Sequence, residues 1–405
     1  MLMTGPQTSR LPSPSSIRRR RSWGTPLPIP SGTAYLTDGL SLRGMKEWER
    51  VWTGVRHDSR YYEILEATIP PFQYHYLVLE DGAGRVRAVQ PLFVSRQDVL
   101  EGLPERPRRI ADLLTRLTPA LRQFRTLWVG PTVGEAALGA EAGDRPWCAR
   151  ALREALPLAS RRLGAPLIVL KDFPSEWRSA LQVFVENGYT RIPSMPSVVL
   201  DLNFKSFDEY LKGLSQRARY DLRRKFRQAD RHPPVTVEVV NDISDRVDEL
   251  YPLYLQVHQR SPHRFETLTP EYFRRLGREI PERSRFFIWS QQGRPVAFDT
   301  CTLAGGELWG DYIGLDYRVA LDLHLYFIVK RDVIDWACRN GLRRYHSGQL
   351  NYDPKLRMGF KLEPLDLYLW HRNRVTNGIL RRAAPWLSPA RHDPLLQKFP
   401  NAVEL

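Results

Sequence analysis

The residues best placed to do chemistry lie between Ser206 and Arg231, in SFDEYLKGLSQRARYDLRRKFRQADR. At about 100° per residue, Arg217, Arg219, Arg223, Arg224, Arg227 and Arg231 gather on one side of a helix. Leu214, Ala218, Leu222 and Phe226 recur every four residues on the other side. Asp221 is the nearby negative partner within the basic face. Crowded guanidinium groups repel one another unless they are solvated or share an anion, and their planar forks match phosphate or carboxylate. Tyr220 projects from the middle of this face, where its ring could stack on a base or a sugar. Two readings stand side by side. Arg217, Arg223, Arg224 and Arg227 bind phosphate, or the arginines pair with carboxylates of a neighbouring unit and staple it in place.

The rest of the chain narrows the field. Its 405 residues are 42% hydrophobic, enough for two domains or one large one, and carry a formal net charge of +15. That charge implies an anionic partner without choosing among nucleic acid, phosphorylated cofactor, acidic glycan and membrane surface. Three well-separated cysteines with no CxxC argue against a disulfide framework or a zinc ribbon and fit a reducing compartment. Arg18 to Arg21 superficially suggest a twin-arginine signal, but the following WGTPLPIPSGTAYL is too proline-rich to be an apolar signal core. With no apolar run of about 18 residues, a cytoplasmic protein is expected. GxxxxGK(S/T), HExxH, GxSxG and a dinucleotide fingerprint in strand–helix context are all missing, and the histidines show no metal-ligand spacing. No metal is expected.

These residues must be positioned by a mixed α/β chain. Residues 1–42 look like a disordered, basic, Pro/Ser-rich tail. A helix near KEWERVW leads to a hairpin, Tyr74–Leu79 and Val86–Val94, turning at Asp81-Gly82-Ala83-Gly84. A helix over 146–163, a strand Pro166–Leu170, a helix Glu176–Glu186 and a strand Ser197–Leu202 follow. Ser206 and Glu209 have capping-box spacing, so the basic segment starts a helix, or two helices broken near Gly213. Then come a strand Val235–Val240, a helix Ile243–Gln259 and a helix over 270–279. Three antiparallel strands, Arg285–Ser290, Val296–Leu303 and Glu307–Ile313, turn at Gly293 and Gly305-Gly306. A helix over 321–340, apolar nearly all round, should be buried against them. Strands Arg343–Ser347 and Leu362–Trp370 close the pattern.

A meander, a buried helix and another strand form the order seen in acyl-CoA N-acyltransferases of the GNAT type. FDEYLKGLSQRARYDLRRKFRQAD resembles the opening of the second unit in Fem-type and BioF2-like acetyltransferase domains. GLDYRVALDLHLYF and WACRNGLRRYHSGQLNYDPKLRMGF resemble their later part. The likeness spans roughly 45–375. It implies an α/β (α+β) acyl-CoA N-acyltransferase fold with two tandem units, each on a mixed, mainly antiparallel sheet, over 43–203 and 204–375, with a C-terminal extension over 376–405. It also implies transfer of an acyl or aminoacyl group to an amine, with acyl-CoA or aminoacyl-tRNA as co-substrate and no permanently bound cofactor. The partners are then a phosphorylated acyl donor, with tRNA contact if the donor is aminoacyl-tRNA, and an amine-bearing acceptor, such as a cell-envelope or polysaccharide precursor. One departure stands out. The GNAT pyrophosphate loop, Q/R-x-x-G-x-G/A, is replaced by Asp316–Asp322, DYRVALD, with no glycine pair for close backbone approach.

The resemblance also places candidate residues. Asp311 and Tyr312 fall at the C-terminal end of the third meander strand, where such a sheet opens its acceptor cleft. There Asp311 would orient or deprotonate the amine, or cap a turn. Tyr352 and Lys355 sit on the loop after the next strand, Tyr352 to protonate the leaving group and Lys355 to meet a phosphate, or both to anchor the loop. His263, Arg264 and Glu266 lie on the helix–helix loop that covers the acceptor site. His324, on the buried helix, reads as a satisfied core histidine rather than a base. The basic helix falls at the junction of the two units. The alternative class is a non-catalytic binder of nucleic acid or an anionic surface on the same scaffold.

Overall fold

The computed structural model describes residues 23–53, 55–98, 123–261, 265–386 and 393–405. In chain order the first half contains β1 (Thr25–Ile29), β2 (Gly32–Thr37), α1 (Lys46–Val51), α2 (Ser59–Thr68), β3 (Gln73–Asp81), β4 (Val86–Asp98) and β5 (Gln123–Val129). It continues with α3 (Arg145–Arg162), β6 (Leu167–Pro174), α4 (Arg178–Glu186), β7 (Thr190–Pro193) and β8 (Ser197–Asp201). The second half has α5 (Phe207–Gly213), α6 (Gln216–Ala229), β9 (Val235–Val240), α7 (Val247–Arg260), α8 (Pro270–Glu279) and the strands β10 (Ser284–Gln291), β11 (Arg294–Ala304) and β12 (Glu307–Leu315). Then follow α9 (Leu325–Arg339), β13 (Arg344–His346), α10 (Tyr352–Arg357), β14 (Lys361–Glu363), β15 (Leu365–His371) and α11 (Arg374–Ala383).

Local chemistry explains many of these boundaries. Ser206 accepts from the Glu209 amide at 3.3 Å, and Ser215 accepts from the Ala218 amide at 3.3 Å, so each of α5 and α6 has its own cap. The basic segment is therefore two helices, broken after Gly213 by the extended Leu214. Gln292 and Gly293 have φ of 50° and 76°, and Gly305 and Gly306 have 57° and 76°, the left-handed pairs that two-residue hairpin turns require. The meander β10–β11–β12 follows directly from them.

The strands form two sheets, ordered β1-β2-β3-β4-β5-β6-β15-β7 and β14-β8-β13-β12-β11-β10-β9. Both share one plan. An antiparallel meander ends at a parallel pair, β5 with β6 and β12 with β13, and beyond that pair each sheet receives a strand from the other half. After β7 the chain leaves the first sheet, and β8 pairs with β13 and β14 in the second. After β14 it returns, and β15 pairs with β6 and β7 in the first. Pro364 stands at this second switch. It has no N–H to extend a ladder, and its carbonyl accepts instead from the Ser175 amide at 3.0 Å. The single strand expected over Leu362–Trp370 is thus two strands in different sheets.

This exchange also revises the expected division. The 203/204 boundary is crossed by a strand in each direction, and the hairpin β1–β2 lies inside the stretch read as a disordered tail, of which 1–22 fall outside the described residues. A single apolar cluster runs across both halves, with Trp48, Tyr61, Phe93, Leu253, Phe273 and Phe298 all buried within it. Among the described residues no helix is long and apolar enough to cross a membrane.

Candidate active site

Each sheet splays where its parallel pair stops. In the second unit β12 and β13 pair only at Leu308↔Tyr345 and Trp309↔His346. Beyond them β12 continues along β11 while the chain turns away through Ser347–Asn351. A bulge opposite Thr300 and Cys301 leaves Asp311 without a cross-strand partner. Asp311 and Tyr312 therefore lie in the middle of β12, not at its end as the sequence suggested, because the strand runs on to Leu315.

The bulge aims Asp311 at the first unit. Its carboxylate is ion-paired with Arg56, on the segment between α1 and α2, and accepts from Thr302 Oγ1 at 2.6 Å. The Arg56 guanidinium also lies 5.3 Å from the centre of the Trp309 ring. Arg283 fixes this segment from the second unit, donating to the Val55 carbonyl at 2.8 Å. Trp309 stacks on His346 at 4.5 Å and 7°. His346 in turn is held at both nitrogens, Nε2 to Glu307 at 2.9 Å and Nδ1 to Glu363 at 2.8 Å. Burial opposes its protonation, but the two carboxylates outweigh this and raise its pKa. Glu135, on the loop after β5, faces the same charges. Burial raises its carboxyl while Arg56 and His346 pull it down.

Next to Asp311 on β12, Tyr312 donates its hydroxyl to Glu266. Burial lifts the Glu266 carboxyl above its ordinary value, and Tyr312 and Lys171 oppose the lift. Lys171 belongs to β6 of the first unit, just past its last pairing with β5, and its ammonium sits 2.8 Å from Asp172 and 5.5 Å from the Phe265 ring centre. The two splays thus face each other. Asp311, Tyr312 and Glu266 meet Arg56, Glu135 and Lys171 at one seam. An arrangement of buried carboxylates among fixed cations can hold an ammonium, take its proton and balance the charge that develops.

The α9 side of the splay adds a second polar layer. Lys330 donates to Tyr345 at 2.6 Å and pairs with Asp299 at 3.4 Å. Burial raises the Asp299 carboxyl to about 6 against the pull of Lys330. Thr300 Oγ1, Tyr326 OH and Ser347 Oγ are buried here without a partner of hydrogen-bonding geometry. Native interiors seldom leave such atoms bare.

The remaining sequence candidates separate from the seam. Tyr352 is 3% exposed and donates to the Pro196 carbonyl at 2.8 Å, so its hydroxyl anchors α10 to the strand-exchange segment and is not free as a proton donor. Lys355 is caged by the carbonyls of Ser347, Gly348, Gln349 and Leu350 at 2.7–3.1 Å. Burial drives its pKa well down, and it clamps the loop instead of meeting a phosphate. His263 and Arg264 lie outside the described residues. His324 is the residue before α9, in the left-handed region at φ 48°, with Nε2 2.8 Å from Gln228 Oε1. It is not inside a helix running from 321.

The basic helix α6 packs on α9 and so is not at the junction of the units. Its apolar stripe buries Leu222, and Phe226 lies under the Arg331 guanidinium at 5.3 Å. Arg217, Arg223, Arg224 and Arg227 are exposed, as is Tyr220 at 64%. Asp221 takes Arg224 at 2.9 Å and also Lys225. Among the described residues no α6 arginine is paired with a carboxylate of the first unit. Arg219 turns back to the carbonyls of Lys212 and Leu214 at 2.8 and 2.7 Å, securing the break before α6. Arg224 and Lys225 do lie close enough to His324, at the start of α9, to lower its pKa alongside burial. Arg56, Glu135 and Lys171 escaped sequence reasoning, since no local pattern marks residues whose partners lie in the other half, and His346 escaped it because its two carboxylates, Glu307 and Glu363, are 39 and 17 residues away.

Comparison with known proteins agrees with this fold. Residues 216–356 match the family described as an acetyltransferase (GNAT) domain. A Mycobacterium tuberculosis protein named "Putative 8-amino-7-oxononanoate synthase 2" is 26% identical over 229 residues, 51% of this chain and 28% of that protein. The chain therefore spans less than a third of that relative's length. Among solved structures, FemX is 12% identical with a TM-score of 0.52, covering 83% of this chain and 98% of FemX. The L-PGS structure from Bacillus licheniformis is 12% identical with a TM-score of 0.50, covering 84% and 97%. At such identities the likeness is one of fold, and it extends over both units.

Proposed function

We propose that this chain, an acyltransferase whose residues 216–356 form a GNAT domain, carries an acyl or aminoacyl group from an activated donor to an amine at the seam between its two units, with Glu266 as the base. The observation that carries the reading is the partly buried Glu266, raised in pKa and oriented by Tyr312 beside the Asp311–Arg56 pair, where β12 and β13 part. A carboxylate of raised pKa takes a proton from an ammonium more readily than an ordinary one. Both Asp311 oxygens are already engaged, so its part is to hold the amine and the Arg56 segment, not to remove the proton.

In the reaction the deprotonated amine attacks the carbonyl carbon of a thioester or ester. The C–N bond forms as the carbonyl becomes an oxyanion, the C–S or C–O bond then breaks, and the released thiolate or alkoxide recovers a proton. The buried hydroxyls of Thr300, Tyr326 and Ser347, the last two close enough to interact with each other, are the donors available to the oxyanion and the donor's carbonyl group. The donor's phosphates would lie at the N-terminus of α9, where the helix dipole is positive and Arg224 and Lys225 of α6 stand by. Arg217, Arg223 and Arg227 extend that field outward. The missing glycine pair at Asp316–Asp322 favours contact through side chains over the close backbone cradle, which suits either acyl-CoA or aminoacyl-tRNA.

The test is transfer from each donor class to a panel of amines, scored by product mass. Glu266→Gln should lower transfer by about 100-fold or more while donor binding persists. Unchanged turnover in that variant would remove Glu266 from the chemistry. Failure of both donors to bind, together with nucleic-acid binding of steep salt dependence, would favour the binding-module alternative.

A further inference from the structure

The C-terminal helix α11 is mounted the wrong way round for a surface helix. Such helices normally bury their apolar stripe and show water the polar one. At about 100° per residue, Asn373, Asn377 and Leu380 share one face and Val375 and Ile379 the opposite one, and the short 3-10 turn Ala384–Trp386 that follows carries Ala384 and Trp386. The face turned to the protein is the first. Asn377 donates to the Gly188 carbonyl at 3.0 Å and accepts from the His371 amide at 2.9 Å, and Ala384 is 8% exposed. The face turned outward leaves Val375 72% and Ile379 59% exposed, and Trp386 is 60% exposed.

The charges around this face have one sign. Arg372, Arg374, Arg381 and Arg382 are all exposed, and the sequence has no carboxylate between Asp366 and Asp393. Among the described residues none of the four is paired with a carboxylate. Arg382 lies within the apolar stripe, where its long stem can rest on lipid while its head stays in water. A protein partner covering Val375 and Ile379 would have to be acidic as well as apolar. An anionic lipid surface offers both properties at once, an acyl layer beneath phosphate headgroups.

We propose that α11 is an interfacial helix that docks this protein on an anionic phospholipid bilayer, with Val375, Ile379 and Trp386 at the acyl boundary and the four arginines among the headgroup phosphates. The helix lies in the plane of the interface and does not cross it. The indole is the side chain that favours that depth. This inference goes beyond the acyl-transfer reading and does not rest on it, because α11 supplies no residue to the seam.

The test is co-sedimentation of the full chain with vesicles of phosphatidylcholine alone or of phosphatidylcholine with phosphatidylglycerol. Binding should need the anionic lipid. Val375→Asp with Ile379→Asp should weaken it at least tenfold while transfer activity and melting temperature stay unchanged, since both residues are exposed. Arg381→Gln with Arg382→Gln should weaken it about thirtyfold at low salt. Three results overturn the proposal: no binding to the anionic vesicles, binding indifferent to the Val375/Ile379 pair, or self-association that the same pair abolishes in the absence of vesicle binding. Indifference to that pair would leave charge alone, as on α6, to explain any adsorption.

Discussion

Asp311 and Arg56 come from different halves of the chain, and each would be a lone buried charge without the other, with side chains 10% and 15% exposed. Removing one partner of such a pair costs about 3–5 kcal/mol, because the survivor stays desolvated. Asp311→Asn should therefore depress the melting temperature clearly, and adding Arg56→Met should recover much of the loss, as thermal unfolding would show. Equal melting of the single variant and the wild type would mean that the pair does not hold the seam. His346 makes a separate, pH-dependent contribution. Its folded pKa is raised above the ordinary histidine value, so its stabilisation is complete below that value and is lost as pH rises through the raised one. His346→Gln should flatten this decline, and an unchanged stability–pH curve would contradict it. Asp311, Tyr312 and Glu266 could be picked out in the sequence through the family likeness. Arg56 could not, because its partner is 255 residues away and nothing in the local HDSR context signals a carboxylate.

At the scale of elements, α10 and the loop before it show how anchoring residues can resemble catalytic ones. Tyr352 and Lys355 are conspicuous in NYDPKLRMGF, yet both spend their polar atoms on backbone carbonyls. Tyr352→Phe should cost about 1–2 kcal/mol for the bereft Pro196 carbonyl and leave turnover nearly intact. A large fall in turnover at unchanged stability would return the phenol to the mechanism. Lys355→Met should free four carbonyls at Ser347–Leu350, raise hydrogen exchange across that loop and lower turnover through misplacement of Ser347. The hairpins were legible because Gly293 and Gly305-Gly306 announce left-handed turns. The break inside Leu362–Trp370 was marked only by Pro364, and proline alone does not say that the two sides enter different sheets. The basic helix was legible as amphipathic, but the neighbour of its apolar stripe, α9, is fixed by tertiary packing.

The whole molecule is two mixed, mainly antiparallel sheets that trade a strand and share an apolar cluster. Neither unit can complete its sheet alone. Unfolding in urea should accordingly be one transition, with far-ultraviolet dichroism and tryptophan fluorescence superimposed. Two separated transitions would mean that the halves are independent. The same exchange brings the splays face to face, so that Glu266 and Asp311 of one unit meet Lys171 and Arg56 of the other. That the chemistry belongs to this seam is tested most directly by the pH profile of kcat/KM for acyl transfer in the wild type and in Glu266→Gln. The expected profile has an acid limb above the ordinary glutamate value, where the raised Glu266 loses its proton, and the variant lacks that limb and is about 100-fold slower or worse. A variant that keeps both the limb and the rate would place the base elsewhere.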